Sequence, residues 1–314
     1  MKSYDVFNGD ADGICALVQL RLAEPRTAQL VTGVKRDINL LAQVNGQAGD
    51  HITALDISMR TNAEGLRRNL NSGAHVFYVD HHNPGDIPKH ENLFAVIDTR
   101  PNICTSLLVN KFLNGAYQNW AIVGAWGDNI LEKAKRLCIN NTTVGDMAGR
   151  LKVFGFYLNY NAYGRSVEDL HFRPDELFQI LLNFKDPVDC LNEYPELFQK
   201  LGEGYSADIE KAKKTGFHSQ GVIILEDAPW ARRISGSYGN ILTDWYPDQA
   251  YAILTHNTGG GYTVSVRAPQ ENPNGADILC LKFPTGGGRA AAAGINHLPK
   301  DDLDKFLDAF RKGF

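Results

Sequence analysis

The sequence predicts an α/β chain of two domains, and three observations carry that prediction. Short apolar runs alternate with helical patterns through the first half. A mainly helical stretch follows from about residue 145 to 215, and a second alternation fills the remainder. Alternation of this kind implies βαβ units and a largely parallel sheet, and 314 residues are enough for two buried cores.

The first predicted strand, residues 4–7, leads into Asn8-Gly9-Asp10-Ala11-Asp12-Gly13. A helix over 13–22 follows at once, which puts the acidic turn at its amino end. Further strands are predicted at 27–34, 51–57, 75–80 and 94–98, with helices at 61–71, 104–114 and 129–138. Residues 176–182 read as a helix, and 196–214, rich in Lys and Glu, as a connecting helix. Beyond it come a strand at 222–225 and a helix near 231–245. Residues 250–254 and 262–267 form a predicted hairpin across Asn257-Thr258-Gly259-Gly260-Gly261, because glycines accept the positive φ of such turns. A terminal helix covers 301–312. The expected division is therefore 1–190, a helical linker over 191–215, and a smaller C-terminal α/β domain over 216–314, with a cleft between the domains.

Composition narrows the classes. A net charge of −4 gives no global attraction to polyanions, so any phosphate site must be local. No apolar run approaches the roughly 20 residues that span a membrane, and Met1-Lys2-Ser3-Tyr4 opens without an apolar signal segment. The five cysteines are odd in number, far apart and without a Cys-x-x-Cys pair, which predicts reduced thiols and a cytoplasmic location.

Chemistry concentrates at the strand ends. The run Ala74 to Val79 closes on Asp80-His81-His82, the strand at 51–57 carries Asp56, and the strand at 94–98 ends at Asp98. Carboxyl ends of strands in an open α/β sheet face the ligand crevice. Asp10, Asp12, Asp56, His81 and Asp128 form a candidate ligand set, with Asp128 following the apolar run 123–127. Oxygen ligands joined by imidazole suit Mn²⁺, Mg²⁺, Fe²⁺ or Zn²⁺, and the carboxylate majority favours the harder ions. Five ligands with one bridging carboxylate fit two ions about 3.5–4 Å apart. Plainer readings run alongside: Asp-x-Asp in a glycine turn also serves turn chemistry, and Asp98 is placed to cap the helix that begins near Thr105. His75, His90 and His171 read as surface or packing histidines.

Taken in order, Asp10-Ala11-Asp12-Gly13, Asp56, Asp80-His81-His82 and Asp128 resemble the motifs of the DHH phosphoesterase superfamily. The resemblance implies that Asp10 and Asp56 bind one ion and that Asp12, Asp56, His81 and Asp128 bind the other. It makes Mn²⁺ the expected metal, with Mg²⁺ also competent. It further implies that Asp80 orients His81 and that His82 faces the substrate phosphate. Family members usually carry a His or Asp just upstream of Asp-x-Asp, where this chain has Asn8.

In the second half, Gly286-Gly287-Gly288-Arg289 precedes an alanine run that reads as a helix start, an arrangement that presents backbone N–H groups to an anion. With Ser265-Val266-Arg267 on a predicted strand, it resembles the DHH-associated C-terminal domain. Arg289 stands where that domain has His; arginine binds phosphate but cannot shuttle a proton. The implied roles are catalytic for Asp80, His82 and Arg289. They are substrate-binding for Asn8, Ser265, Arg267, Gly286, Gly287, Gly288 and Arg289. The aromatic segment 154–165 reads as packing between domains, with base stacking as the other use, and pairs such as Lys35-Arg36 read as solvated faces.

The expected function is two-metal hydrolysis of short single-stranded oligonucleotides, down to dinucleotides, to mononucleotides, with no membrane partner; a homodimer is compatible with the sequence. The alternatives are a phosphatase for bisphosphorylated nucleotides, a cyclic-dinucleotide phosphodiesterase, and a catalytically weakened nucleotide-binding regulator.

Overall fold

In the computed structural model, which describes residues 1–139 and 147–314, the chain forms two compact units, Met1–Gly202 and Glu203–Phe314. The first holds β1 (Ser3–Phe7), β2 (Gln29–Val31), β3 (His51–Leu55), β4 (His75–Asp80) and β5 (Leu93–Ile97). All pair in parallel, in the order β2-β1-β3-β4-β5. That order reverses direction beside β1, so the loops leaving β1 and β3 diverge and open a crevice at their carboxyl ends. Phe7 and Leu55 are register partners at that end, and the acidic residues of both loops lie immediately beyond them.

Helix α1 (Ala11–Ala23) follows β1 and is buried from Ala11 to Arg21. A helix apolar all round is one enclosed by its neighbours. The described residues of this unit continue with α2 (Ala63–Asn71), α3 (Thr105–Phe112), α4 (Gln118–Gly127), α5 (Leu131–Ile139), α6 (Ala148–Asn161), α7 (Pro174–Leu181) and α8 (Pro187–Glu193), and residues of α3, α4 and α6 share one core with α1. Glycines let these helices touch backbone to backbone. A Cβ on Gly127 would collide with the Ala11 Cβ, and one on Gly155 would collide with the Val123 carbonyl oxygen. This approach brings Asp128, the C-cap of α4, to the amino end of α1. Beneath the sheet ends, Asp5 of β1 and Arg21 of α1 form a buried bidentate pair, with Thr53 accepting from the same guanidinium at 2.9 Å.

The second unit has a mixed sheet of β6 (Val222–Leu225), β7 (Tyr251–His256), β8 (Gly261–Arg267), β9 (Gly286–Gly288) and β10 (Ala292–Pro299), in the order β6-β7-β8-β10-β9. β6 and β7 are parallel; the remaining pairs are antiparallel, including the β7–β8 hairpin. Helices α10 (Pro229–Trp245), α11 (Ala276–Cys280) and α12 (Leu303–Gly313) complete it. The alanine run after Gly288 is not a helix start. Ala292 and Ala293 open β10, whose Ala293, Ile295 and Leu298 enter the core that includes Phe306 and Phe310 of α12. Pairing with β8 and this alternate burial override the helix propensity of alanine.

The unit boundary falls inside α9 (Pro195–Lys214). Its Leu197 and Leu201 are part of the first unit's core, so the leading turns of the predicted linker are structural rather than connecting. The aromatic segment also packs within the first unit: Phe154 and Tyr160 are fully buried, and Phe198 of α9 tilts against Phe154 and Tyr157. No helix among the described residues is long and apolar enough to cross a membrane, and all five cysteines are buried as free thiols.

Candidate metal centre

Four loops and helix ends bring the predicted ligands together. Asp10 is the N-cap of α1, and its Oδ1 accepts the N–H groups of Asp12 and Gly13, each at 3.0 Å. The turn chemistry available to Asp-x-Asp is therefore used, and used by the first carboxylate. Asp12 then reaches across to the amino end of α3, accepting the N–H of Thr105 at 2.7 Å and of Ser106 at 2.8 Å. Asp98, the residue expected to cap that helix, instead pairs with Arg100 on the surface.

Asp56 leaves β3 in the left-handed region with φ 58°. Few residues other than glycine accept that conformation, though Asp is among those that do. The turn aims its carboxylate inward, where the Thr105 hydroxyl donates to Oδ1 at 3.0 Å. Burial first, and then the charges of Asp10 and Asp12, push the Asp56 carboxyl well above its ordinary pKa.

His81 Nδ1 lies 2.9 Å from the Ile103 carbonyl. A carbonyl only accepts, so that nitrogen carries the hydrogen, and in the neutral ring Nε2 presents its lone pair. Nε2 faces Asp56 at 3.4 Å, Asp128 at 3.8 Å and Asp12 at 4.0 Å. Donor atoms roughly 3–4 Å apart are what ligands about 2.1 Å from one ion adopt. Carboxylate oxygens within reach of one imidazole nitrogen thus suit a hard or borderline divalent cation. Two ligand triplets gather here, Asp12/His81/Asp128 and Asp56/His81/His82, and Asp10 belongs to neither.

Asp80 does not orient His81. Its Oδ1 meets His82 Nδ1 at 2.7 Å, while Oδ2 is buried without a hydrogen-bond partner. The ring of His81 is positioned by Ile103 instead. Burial acts to lower the His82 pKa, but the hydrogen bond and charge of Asp80, with the charge of Asp56, outweigh it and hold the imidazole above its ordinary range. His82 is the exposed member of the group, its side chain 41% accessible against 4% for His81.

The sequence reading missed Lys35, Ile103, Thr105 and Ser106. Lys35 is not on a solvated face: its ammonium pairs with Asp10 Oδ2 and donates to Asn159 Oδ1 at 2.9 Å. With burial opposing, that pairing helps hold Asp10 low, at about 2. Asn8 is buried, but its side chain serves the backbone, accepting from the Asp10 N–H at 3.2 Å and donating to the Lys35 carbonyl at 3.2 Å. The only sequence signal for Thr105 and Ser106 was their place at the start of a predicted helix.

In the second unit, four of Arg267's guanidinium hydrogen bonds are internal, to Asn240, Ser265, the Val266 carbonyl and the Gly236 carbonyl. Ser265 is occupied in the same network. Gly286 and Gly288 have packing reasons to be glycine: an added Cβ would overlap the Cys280 carbonyl oxygen in one case and the Ala293 Cα in the other. Gly287 faces open space, and Arg289 is exposed at the turn between β9 and β10.

Comparison with solved structures places this architecture. The chain superposes over 99% of its length on 89% of a manganese-bound RecJ exonuclease, with TM-score 0.57 and 17% identity. It also covers 51% of RecJ from Thermus thermophilus in complex with Mn²⁺ (TM-score 0.59, 16% identity), spanning about half that protein. All of it aligns with all of PggH, a pGpG-specific phosphodiesterase from Vibrio cholerae, at TM-score 0.55 and 16% identity. No family model and no curated protein matches the chain. The fold is RecJ-like.

Proposed function

We propose that this chain is a metal-dependent phosphoesterase that hydrolyses short oligonucleotides, down to dinucleotides, to mononucleotides. The observation that carries the reading is the single buried imidazole nitrogen of His81 facing Asp12, Asp56 and Asp128, at the switch point of a parallel sheet. The RecJ-like fold supports the reaction class, and the whole-length likeness to a pGpG-specific phosphodiesterase supports a dinucleotide-sized substrate.

Asp12, Asp56, His81 and Asp128 would hold a divalent ion, Mn²⁺ or Mg²⁺. When bound there, such an ion supplies Lewis acidity toward a phosphoryl oxygen and toward water. The other roles belong to the chain's own groups. The Ile103 carbonyl and the Thr105 hydroxyl fix His81 and Asp56 before substrate arrives. His82, braced by Asp80, offers its outer nitrogen to a phosphoryl oxygen or to the leaving oxygen. Arg289, exposed and carrying a planar set of donors, suits a phosphate.

The test is an assay of a 5′-labelled dinucleotide with Mn²⁺. Release of mononucleotide that stops with chelator is expected. Phosphate liberated from a 3′,5′-bisphosphorylated nucleotide with the dinucleotide untouched would select the phosphatase reading. Binding of either without turnover would select a regulatory one.

A further inference from the structure

Asp10 is the predicted ligand that the ligand triplets leave out. Its Oδ1 caps α1, and its Oδ2 meets the Lys35 ammonium. Lys35 is held there from several directions. Its backbone N–H donates to the Ala162 carbonyl at 2.8 Å, and its own carbonyl accepts from Asn8. Its ammonium also reaches Asn159 and lies 5.7 Å from the centroid of the Tyr163 ring. Asn8, at the position where the resemblance expects another ligand, spends its side-chain oxygen on the Asp10 N–H and its nitrogen on Lys35. The loss of a ligand at Asn8 and the arrival of a cation on Asp10 are therefore one arrangement.

We propose that the Lys35 ammonium stands in for one of the two metal ions, so that the chain binds a single divalent cation, at Asp12, Asp56, His81 and Asp128. This rests on the metal-dependent reading above. A second ion on Asp10 would lie beside the ammonium, in a buried site where like charges repel strongly. Asn8 offers it only a neutral oxygen that is already bonded. The tethered charge neutralises Asp10 at any metal concentration.

The experiment is metal stoichiometry. The full chain is stripped with EDTA, equilibrated with MnCl₂ and desalted. Bound manganese is then measured by mass spectrometry, with electron paramagnetic resonance to separate isolated from spin-coupled ions. One isolated Mn²⁺ per chain is expected, rising to a coupled pair in Lys35→Met, which keeps the length of the side chain and removes its charge. Two coupled ions in the unaltered chain would overturn the substitution while leaving the metal-dependent function standing. No bound manganese would overturn both. If the unaltered chain holds one ion and a folded Lys35→Met still holds one, Lys35 is not what excludes the second.

Discussion

Thr105→Val is the sharpest probe of the centre, because it changes one atom of consequence. Thr105 is fully buried, its hydroxyl donates to Asp56 Oδ1 at 3.0 Å, and its backbone N–H donates to Asp12 at 2.7 Å. Valine keeps the shape and the backbone bond but leaves Asp56 without this donor. A hydrogen bond to a charged acceptor contributes about 1.5–3 kcal/mol. At about 1.4 kcal/mol per decade, the loss is roughly 10–100-fold in Mn²⁺ affinity. The same range is found when a group that orients a metal ligand is removed. Calorimetric titration of the EDTA-stripped protein with MnCl₂ measures it directly. Thr105→Ser is the control, since it retains the hydroxyl and loses a methyl group, and its affinity should stay near that of the unaltered chain. Affinity within twofold of the original in Thr105→Val would refute the reasoning. Equal weakening in both variants would assign the effect to packing rather than to the hydroxyl.

Other perturbations separate the remaining parts. His82→Gln should lower kcat by about 10²–10⁴-fold with manganese content unchanged; loss of the metal would show that His82 is a ligand instead. Asp5→Ala strands a buried guanidinium on Arg21 and should cost about 3–5 kcal/mol in urea unfolding, whereas Asp5→Leu combined with Arg21→Met should recover most of it. Gly286→Ala places a methyl group against the Cys280 carbonyl and should destabilise the chain by about 1–3 kcal/mol or more; a melting temperature equal to the original would mean that β9 is free to shift. The five buried thiols should resist a disulfide exchange reagent under native conditions and react in guanidinium, since burial raises Cys15 and Cys104 well above the usual thiol range.

What the sequence revealed and what it hid divide along a physical line. The candidate ligand residues were legible because each follows an apolar run, Asp10, Asp12, Asp56 and His81 just beyond strands of a parallel sheet and Asp128 at the end of α4. The supporting atoms were not, because several are backbone groups of no distinctive residue type: the Ile103 carbonyl and the N–H groups of Thr105 and Ser106. Asp80 was assigned to the wrong histidine because adjacent residues beyond a strand end turn to different sides, a choice made by the loop and not by the motif. The alanine run after Gly288 misled for a related reason: helix propensity is local, whereas the partner strand that claimed those residues is β8, whose last residue, Arg267, pairs with Ala292.

The two readings of Asp-x-Asp, turn chemistry and metal chemistry, turn out not to compete. Asp10 caps α1 and Asp12 receives the amino end of α3, so each carboxylate sits where unsatisfied N–H groups and the helix dipole favour negative charge. Four acids crowd this crevice, and burial, followed by the charges of Asp10 and Asp12, raises the Asp56 pKa. Helix ends on two of them, and an ammonium on one, offset part of that repulsion before any ion arrives. The consequence is a centre whose geometry is set by the fold. Chelated protein should therefore keep the amide-exchange protection of Thr105 and Ser106, and losing it on metal removal would show that the ion, and not the helix ends, assembles the site.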